Sequence, residues 1–349
     1  MLEELEKLIK TALEMGAFDV HIKTAAPPFV RIAGKIHRLN YPPISPKELE
    51  KLALEMMSKE QLLEFRAQGQ VDFSFDFQNL CRLRANIFLQ RNTVAISLRL
   101  VPSSISSLEK LGFSREFEIE LLKIKNGMVL VTGATNSGKT TTIASFVNTI
   151  AQNGDKHILV IEDPIEYVYP EYKTSVVNQR QVGMDTLSFH EGLSAGLRQD
   201  PDVSIIGELR DQETVETALK AAETGHLVLG TLHTNSAVQT VNRIINIFPS
   251  HQRDAIRFIL ASCLKLVISQ MLIPSGDHKS RILAYEILPM LSSVCNLIRQ
   301  KKVHEIPSLM RIGRKQGCMT MNDTIKELVK SQKIKLSDLP KEYRSKKNE

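Results

Sequence analysis

The sequence predicts a two-domain chain: a small α+β domain, then an α/β domain whose parallel sheet is covered by helices on both faces. Three observations carry this. The 349 residues suffice for roughly two domains at about 150 residues each. Up to residue 101, amphipathic helical stretches are interleaved with half-buried, alternating strand patterns. From residue 108 onward, short runs that are apolar throughout alternate with helical stretches. Uniformly apolar strands separated by helices are what a sheet buried on both faces requires.

In chain order, Leu2, Leu5, Leu8, Ile9, Ala12 and Leu13 form one helical stripe, which Gly16 ends. Val20–Ile22 and Phe29–Ile32 read as extended, with a Gly34-Lys35 turn after them. Pro42, Pro43 and Pro46 lead into one amphipathic helix predicted over 47–66. Phe73, Phe75 and Phe77 alternate with polar residues, the period of a half-buried strand. Two further strand-like runs, Leu83–Leu89 and Thr93–Leu100, complete a domain predicted over 1–101. Residues 102–107 (Pro-Ser-Ser-Ile-Ser-Ser) read as a linker. The second domain, 108–349, carries its buried runs at Met128–Thr132, His157–Ile161, Val203–Ile206 and Leu227–Thr231.

Composition narrows the class. With 42% apolar and 24% charged residues, the chain can bury a core without disulfides or structural metal. Cys81, Cys263, Cys295 and Cys318 lie far apart with no CxxC pair, which speaks against a secreted disulfide framework and a zinc site. The acidic, amphipathic start is unlike a signal peptide. Ile259–Ile273, the most apolar later stretch, is too short to span a bilayer and contains Lys265, so no transmembrane segment is expected. The net charge is +6, yet residues 299–349 alone hold fourteen Lys or Arg against six Asp or Glu. Interleaved with apolar residues, this tail reads first as a solvated helix face with a frayed end. Its second reading, Lys346 and Lys347 included, is a contact for acidic protein, anionic lipid or nucleic acid.

The chemistry starts at Gly133-Ala134-Thr135-Asn136-Ser137-Gly138-Lys139-Thr140, a full match to GxxxxGK[ST], with Thr141 following. It lies directly after one buried run and before a helical stretch, where backbone N–H groups and a helix N-terminus can cradle phosphates. Lys139 is expected to reach the β and γ phosphates, and the Thr140 hydroxyl to ligate Mg²⁺. Kinases, switch GTPases and motors share such a loop, so the acids and the histidine that follow must narrow the reaction. Glu162 and Glu166 fall at the end of the second buried run, on the sheet edge that carries the loop. The third run ends Ile206-Gly207-Glu208. Gly207 occupies the place where many such enzymes carry an Mg²⁺-holding Asp, leaving Glu208 to orient water for in-line attack. Glu162 and Glu166 can supply the missing oxygen ligand or a water-mediated Mg²⁺ contact. His233, just beyond the fourth run, is placed to sense the γ-phosphate, whereas His226 reads as a packing residue. Arg84 and Arg99 are candidates for a positive charge delivered from a neighbouring subunit, although their spacing alone does not single them out.

Gly133–Thr140, Ile161–Val168, Gly207–Asp211, and Ala222–Leu227 through Gly230–Thr234 together resemble the secretion-type traffic ATPases. There these segments form the Walker A, Asp box, Walker B and His box, and a glycine at Gly207 is usual. Pro27-Pro28 with Val30-Arg31-Ile32, Cys81–Asn86, Asn296–Gln300 and Gly317–Asp323 are similar to type IV pilus retraction ATPases. The likeness covers nearly the whole chain. It implies a PAS-like N-terminal domain followed by a RecA-like P-loop ATPase domain, assembled as a homohexamer that binds ATP and Mg²⁺. It implies that Arg84 and Arg99 reach the nucleotide of the assembled ring. It further implies pilus retraction and twitching motility driven from the cytoplasmic side of the inner membrane, peripheral at the pilus base. The inner-membrane platform protein is the implied partner, with a paralogous pilus ATPase as a second. The extra N-terminal domain and four-cysteine zinc loop of extension ATPases have no counterpart in this sequence. Two residues depart from the family pattern: Asn136 stands at a loop position usually held by Gly, and Ser204 falls in a normally apolar strand.

Other readings predict different partners. A nucleic-acid motor would call for a helix-turn-helix or a basic patch interleaved with aromatics, and the sequence offers neither, so no nucleic acid is expected. A regulatory nucleotide-binding subunit of another pilus motor, and a type II secretion or competence traffic ATPase, both share the same motifs.

Overall fold

A computed structural model describes residues 2–32, 34–78, 80–102, 104–278 and 280–344; Lys346 and Lys347 lie outside them. Residue contacts divide the chain into two compact units.

Period-two alternation builds the first unit. Its elements are α1 (Leu2–Glu14), β1 (Asp19–Lys23), β2 (Phe29–Ile32), β3 (Lys35–Arg38), α2 (Pro46–Met56), α3 (Lys59–Gln68), β4 (Gln70–Phe77), β5 (Cys81–Gln90) and β6 (Thr93–Pro102). The strands form one sheet in the order β3-β2-β1-β6-β5-β4, every neighbour antiparallel. Arg91 and Asn92, both in the left-handed region (φ 47° and 60°), make the two-residue turn from β5 to β6, the turn geometry that matches strand twist. Leu83, Ala85 and Ile87 of β5, with Ile96 and Leu98 of β6, pack against Leu5, Leu8 and Ile9 of α1 and Leu49 and Leu52 of α2. Arg84 and Arg99, at the alternate positions, therefore stand on the other face. The single helix predicted over 47–66 is two helices. Met57 leaves the helix in an extended conformation, and Ser58 starts a new one with a capping box: it accepts the Gln61 N–H while Gln61 accepts the Ser58 N–H. The amphipathic stripe runs across that break and conceals it. Glu166–Val168 and Asp277–Arg281 also belong to this unit.

The second unit begins at Ile105. Ser103 lies outside the described residues, but the end of the expected linker is fastened: the Ser106 carbonyl accepts the Ser145 hydroxyl at 2.7 Å. Its elements are α4 (Arg115–Lys123), β7 (Gly127–Thr132), α5 (Lys139–Gln152), β8 (His157–Glu162), β9 (Val176–Gln181), α6 (Phe189–Gly196), β10 (Val203–Ile206), α7 (Gln212–Glu223), β11 (Leu227–Leu232), α8 (Ala237–Ile247), α9 (Arg253–Cys263), β12 (Leu264–Pro274), β13 (Arg281–Pro289), α10 (Ser292–Arg299), α11 (Ile306–Ile312), α12 (Met321–Lys330) and α13 (Lys341–Arg344). The sheet order is β13-β12-β7-β11-β10-β8-β9, parallel from β12 through β9. All residues of β7, β10 and β11 are buried. Met128 and Leu130 of β7 enter one core with α7, α8 and α9, while Val129 and Val131 enter another with Phe113 and Phe146. Two-sided burial explains why these strands are apolar throughout. The apolar stretch 259–273 divides at Cys263 into the end of α9 and most of β12. Its hydrophobicity is that of a sheet interior, and no helix among the described residues is long and apolar enough to cross a membrane.

Ser204 of β10 is fully buried and its hydroxyl has no partner. A buried, unpaired hydroxyl costs about 1–3 kcal/mol, so Ser204→Ala should raise the unfolding free energy by about 1 kcal/mol in urea titrations. Phe146 is fully buried and packs on Phe113 and Phe117; Phe146→Ala should lower it by about 3–5 kcal/mol.

Candidate active site

Parallel strands end on one edge of their sheet. Pairing of Thr132 with Leu232 and of Ile206 with Gly230 brings the ends of β7, β11 and β10 side by side. Each continues into a functional loop. The segment Gly133–Gly138 leaves β7 and enters α5 at Lys139. Gly133 has φ 148°, and a Cβ there would collide with the Gln270 carbonyl oxygen of β12. Only glycine lets the loop turn that close to its neighbour. Asn136 takes φ 63°, a left-handed conformation that asparagine tolerates. Gln270 supports the loop from below, its side-chain N–H₂ donating to the Ser137 carbonyl at 2.9 Å. Ala134, Thr135 and Asn136 are exposed, Ser137 is buried, and Thr140 and Thr141 are half-buried in the first turn of α5.

From Lys139 a chain of polar contacts crosses the strand ends. Its ammonium donates to the carbonyls of Gly133 (2.9 Å) and Ala134 (3.0 Å) and lies 3.4 Å from Nδ1 of His233. His233 Nε2 is 3.2 Å from Oε1 of Glu208, and Arg210 Nε is 2.8 Å from Oε2. The imidazole thus lies between a cation on its Nδ1 side and a carboxylate on its Nε2 side. Burial pushes the Glu208 carboxyl up, but the hydrogen bond from Arg210 and the nearby His233 and Arg210 charges outweigh it. The group is held below the usual carboxylate range. Arg210 in turn is held more firmly protonated by Glu208, with Asp163 adding to the attraction.

Gly207 has a steric reason to be glycine. Its N–H donates to the Ile161 carbonyl at 2.8 Å, and a Cβ would come within 3.1 Å of that oxygen and 3.3 Å of the Glu162 Cα. An aspartate here would need the β8 backbone to give by a few tenths of an ångström.

Glu162 ends β8 and is buried; Gln179 of β9 donates to it at 3.1 Å. Strands β10 and β11 stand between β8 and β7, so Glu162 is about 14 Å from the loop strand at three interstrand spacings. Glu166 parts from Glu162. The chain turns after the strand, Ile165 N–H being held by Gln181, and Glu166 joins the first unit 3.7 Å from Arg84 Nη1. In that unit Arg84 and Arg99 are directly opposed on β5 and β6, which accounts for their spacing in the sequence. Such like-charged pairs repel unless neutralised, and Arg99 Nε donates to Asp19 at 2.9 Å. His226 contacts the Ala221 carbonyl at 3.2 Å. Sequence reasoning passed over Arg210, Asp163, Gln270 and Asp19. Arg210 stands two residues after Glu208, a readable signal; Gln270 was concealed in a run weighed only for membrane insertion.

Four similarities place the chain among known proteins. The type II/IV secretion system protein family matches residues 1–344. The type IV pilus retractation ATPase PilT of Pseudomonas aeruginosa is 39% identical over 326 residues, 93% of this chain and 94% of its own length. A twitching motility protein of Neisseria gonorrhoeae is 42% identical over 303 residues, 87% of this chain and 80% of its own. The crystal structure of the pilus retraction motor PilT with bound ADP superposes with a TM-score of 0.84 at 48% identity, covering 95% of this chain and 94% of that one. With a match over almost its whole length and relatives this similar, the chain belongs to the type II/IV secretion system protein family.

Proposed function

We propose that this chain is an ATP-hydrolysing motor that powers type IV pilus retraction. The observation that carries the reading is the run of contacts from Lys139 through His233 to Glu208 beside a glycine-lined loop. The names of its relatives support the biological setting. Backbone N–H groups between Gly133 and Gly138, with the start of α5, would hold the phosphates. Lys139 would exchange its loop carbonyls for β- and γ-phosphate oxygens. Thr140 would hold Mg²⁺, whereas Glu162, three strands away, is out of reach of an ion at the loop through a single water. A hydroxyl suits an ion that keeps several waters and takes substrate oxygens as ligands. When bound, Mg²⁺ supplies neutralisation of phosphate charge.

Glu208 is ionised at neutral pH and is the group that orients the attacking water and takes its proton. His233 lies between Lys139 and Glu208 and reports γ-phosphate to both. Arg84 and Arg99 of a neighbouring subunit would complete the site in a homohexamer, with Glu166 and Asp19 holding them meanwhile. We read the first unit as PAS-like and the second as RecA-like, their rotation during hydrolysis doing the mechanical work. The motor would act in the cytoplasm, peripheral to the inner membrane at the pilus base. It would work on the platform protein there, in some settings beside a paralogous ATPase.

Replacing the chromosomal gene by Lys139→Ala or Glu208→Gln should leave assembled pili on the surface while abolishing their retraction and twitching. Unchanged retraction would overturn the reading. A second expectation concerns pH. A carboxylate depressed in the folded state adds stability that is complete above its ordinary pKa of 4.5 and is lost as pH falls through the folded value. Denaturant titrations should therefore show wild type more stable than Glu208→Gln at neutral pH, the gap narrowing as pH falls below 4.5.

A further inference from the structure

His233 is carried by a short loop, Thr234 to Ser236, that leads into α8. The position of the first turn of α8 therefore sets the position of the imidazole. Every helix start exposes N–H groups with no intrahelical acceptor. On α8, Ser236 accepts from Gln239, and the first N–H, that of Ala237, donates to Oε1 of Glu286 on β13 at 2.6 Å. The N–H of Met321, the first residue of α12, faces the same carboxyl and draws its pKa down. α12 is stapled to β13 on both sides of that point. Thr324 donates to the Tyr285 carbonyl at 2.6 Å, and Met319 and Ile287 exchange backbone hydrogen bonds at 2.8 and 3.0 Å. One turn along α8, the Thr240 hydroxyl lies 2.7 Å from that of Thr234 and 3.3 Å from that of Thr132, the last residue before the phosphate loop. The turn behind His233 is thus gripped between the loop strand and one carboxylate.

We propose that Glu286 is a positioning residue that ties helix α12 to the start of α8 and thereby holds His233 in register with Glu208. The inference rests on the hydrolytic role assigned to His233 above. A carboxylate suits the task because it has acceptors only, and two helix N-termini point their positive ends at it. Burial raises this carboxyl above the usual range against the pull of both N–H groups. Glutamine has the same shape but would turn an N–H₂ group toward one of the two donors. Glu286→Gln therefore breaks one link of the joint without leaving a cavity.

The test uses the full chain in four forms: wild type, E286Q, H233A and the double variant. E286Q should lower kcat about tenfold with KM for ATP changed less than about twofold. In the H233A background the same substitution should cost almost nothing. Met321→Pro is the second variant: proline is accepted at the first helical position and removes the N–H, together with a side chain buried against Ile273 and Ile325. The reading is therefore taken from its dependence on His233, and it should lower kcat in the same His233-dependent way. An equal loss with and without His233, or no loss of kcat in either variant, would overturn the proposal. A readout free of turnover separates this from the hydrolytic reading. The His233 ring resonances in ¹⁵N-histidine spectra should shift in E286Q, and unshifted resonances would overturn the proposal whether or not the wild type hydrolyses ATP.

Discussion

The contact between His233 Nε2 and Glu208 Oε1, 3.2 Å long, depends on the whole central sheet. Glu208 follows β10 and His233 follows β11, so the pair meets only if those strands are adjacent, parallel and in one register. It reaches Lys139 only if β11 also lies beside β7. Each condition is met by strands that have no solvent face: helices cover both sides, and alternate residues of each strand enter separate cores. Register is then fixed by packing, since a slip of one residue would exchange the two cores. The fold supplies the site with geometry more than with chemistry.

Charge balance at this edge follows from the same arrangement. Glu208 is buried enough to lose solvation and would rise toward neutrality alone, but Arg210 and His233 hold it ionised. Arg210 is itself drawn toward Asp163, so the acids after β8 communicate with the acid after β10 through one guanidinium. Gly207 allows this by letting β10 end against the backbone of β8. The first unit solves a similar problem with other residues. Arg84 and Arg99, facing each other across β5 and β6, are kept together by the carboxylates of Glu166 and Asp19.

Much of this was legible in the sequence. The four uniformly apolar runs became β7, β8, β10 and β11 because two-sided burial leaves a one-dimensional signature. The loop Gly133–Thr140 was readable because its conformation demands glycine at a fixed spacing. Less visible was whatever depends on pairing between distant segments. The capping box at Ser58 lay inside a stripe that looked continuous. Glu166 stood near Glu162 in sequence and far from it in role, since one turn after a strand carries the chain into the other unit. Gln270 and Glu286 sit on strands from the C-terminal half, and only the sheet order brings one under the loop and the other against α8. Hydrophobic periodicity reports which face is buried, not which polar group waits there.

Hydrolysis of Mg-ATP per subunit, measured over a range of chain concentrations with Glu208→Gln alongside, tests the central claim most directly. The account requires turnover that rises cooperatively as subunits assemble, because on the proposed reading arginines from a neighbour would complete each site. It also requires that the variant bind ATP yet turn it over about a hundredfold more slowly. Tight ATP binding with no turnover at any concentration, or full activity in the variant, would contradict it.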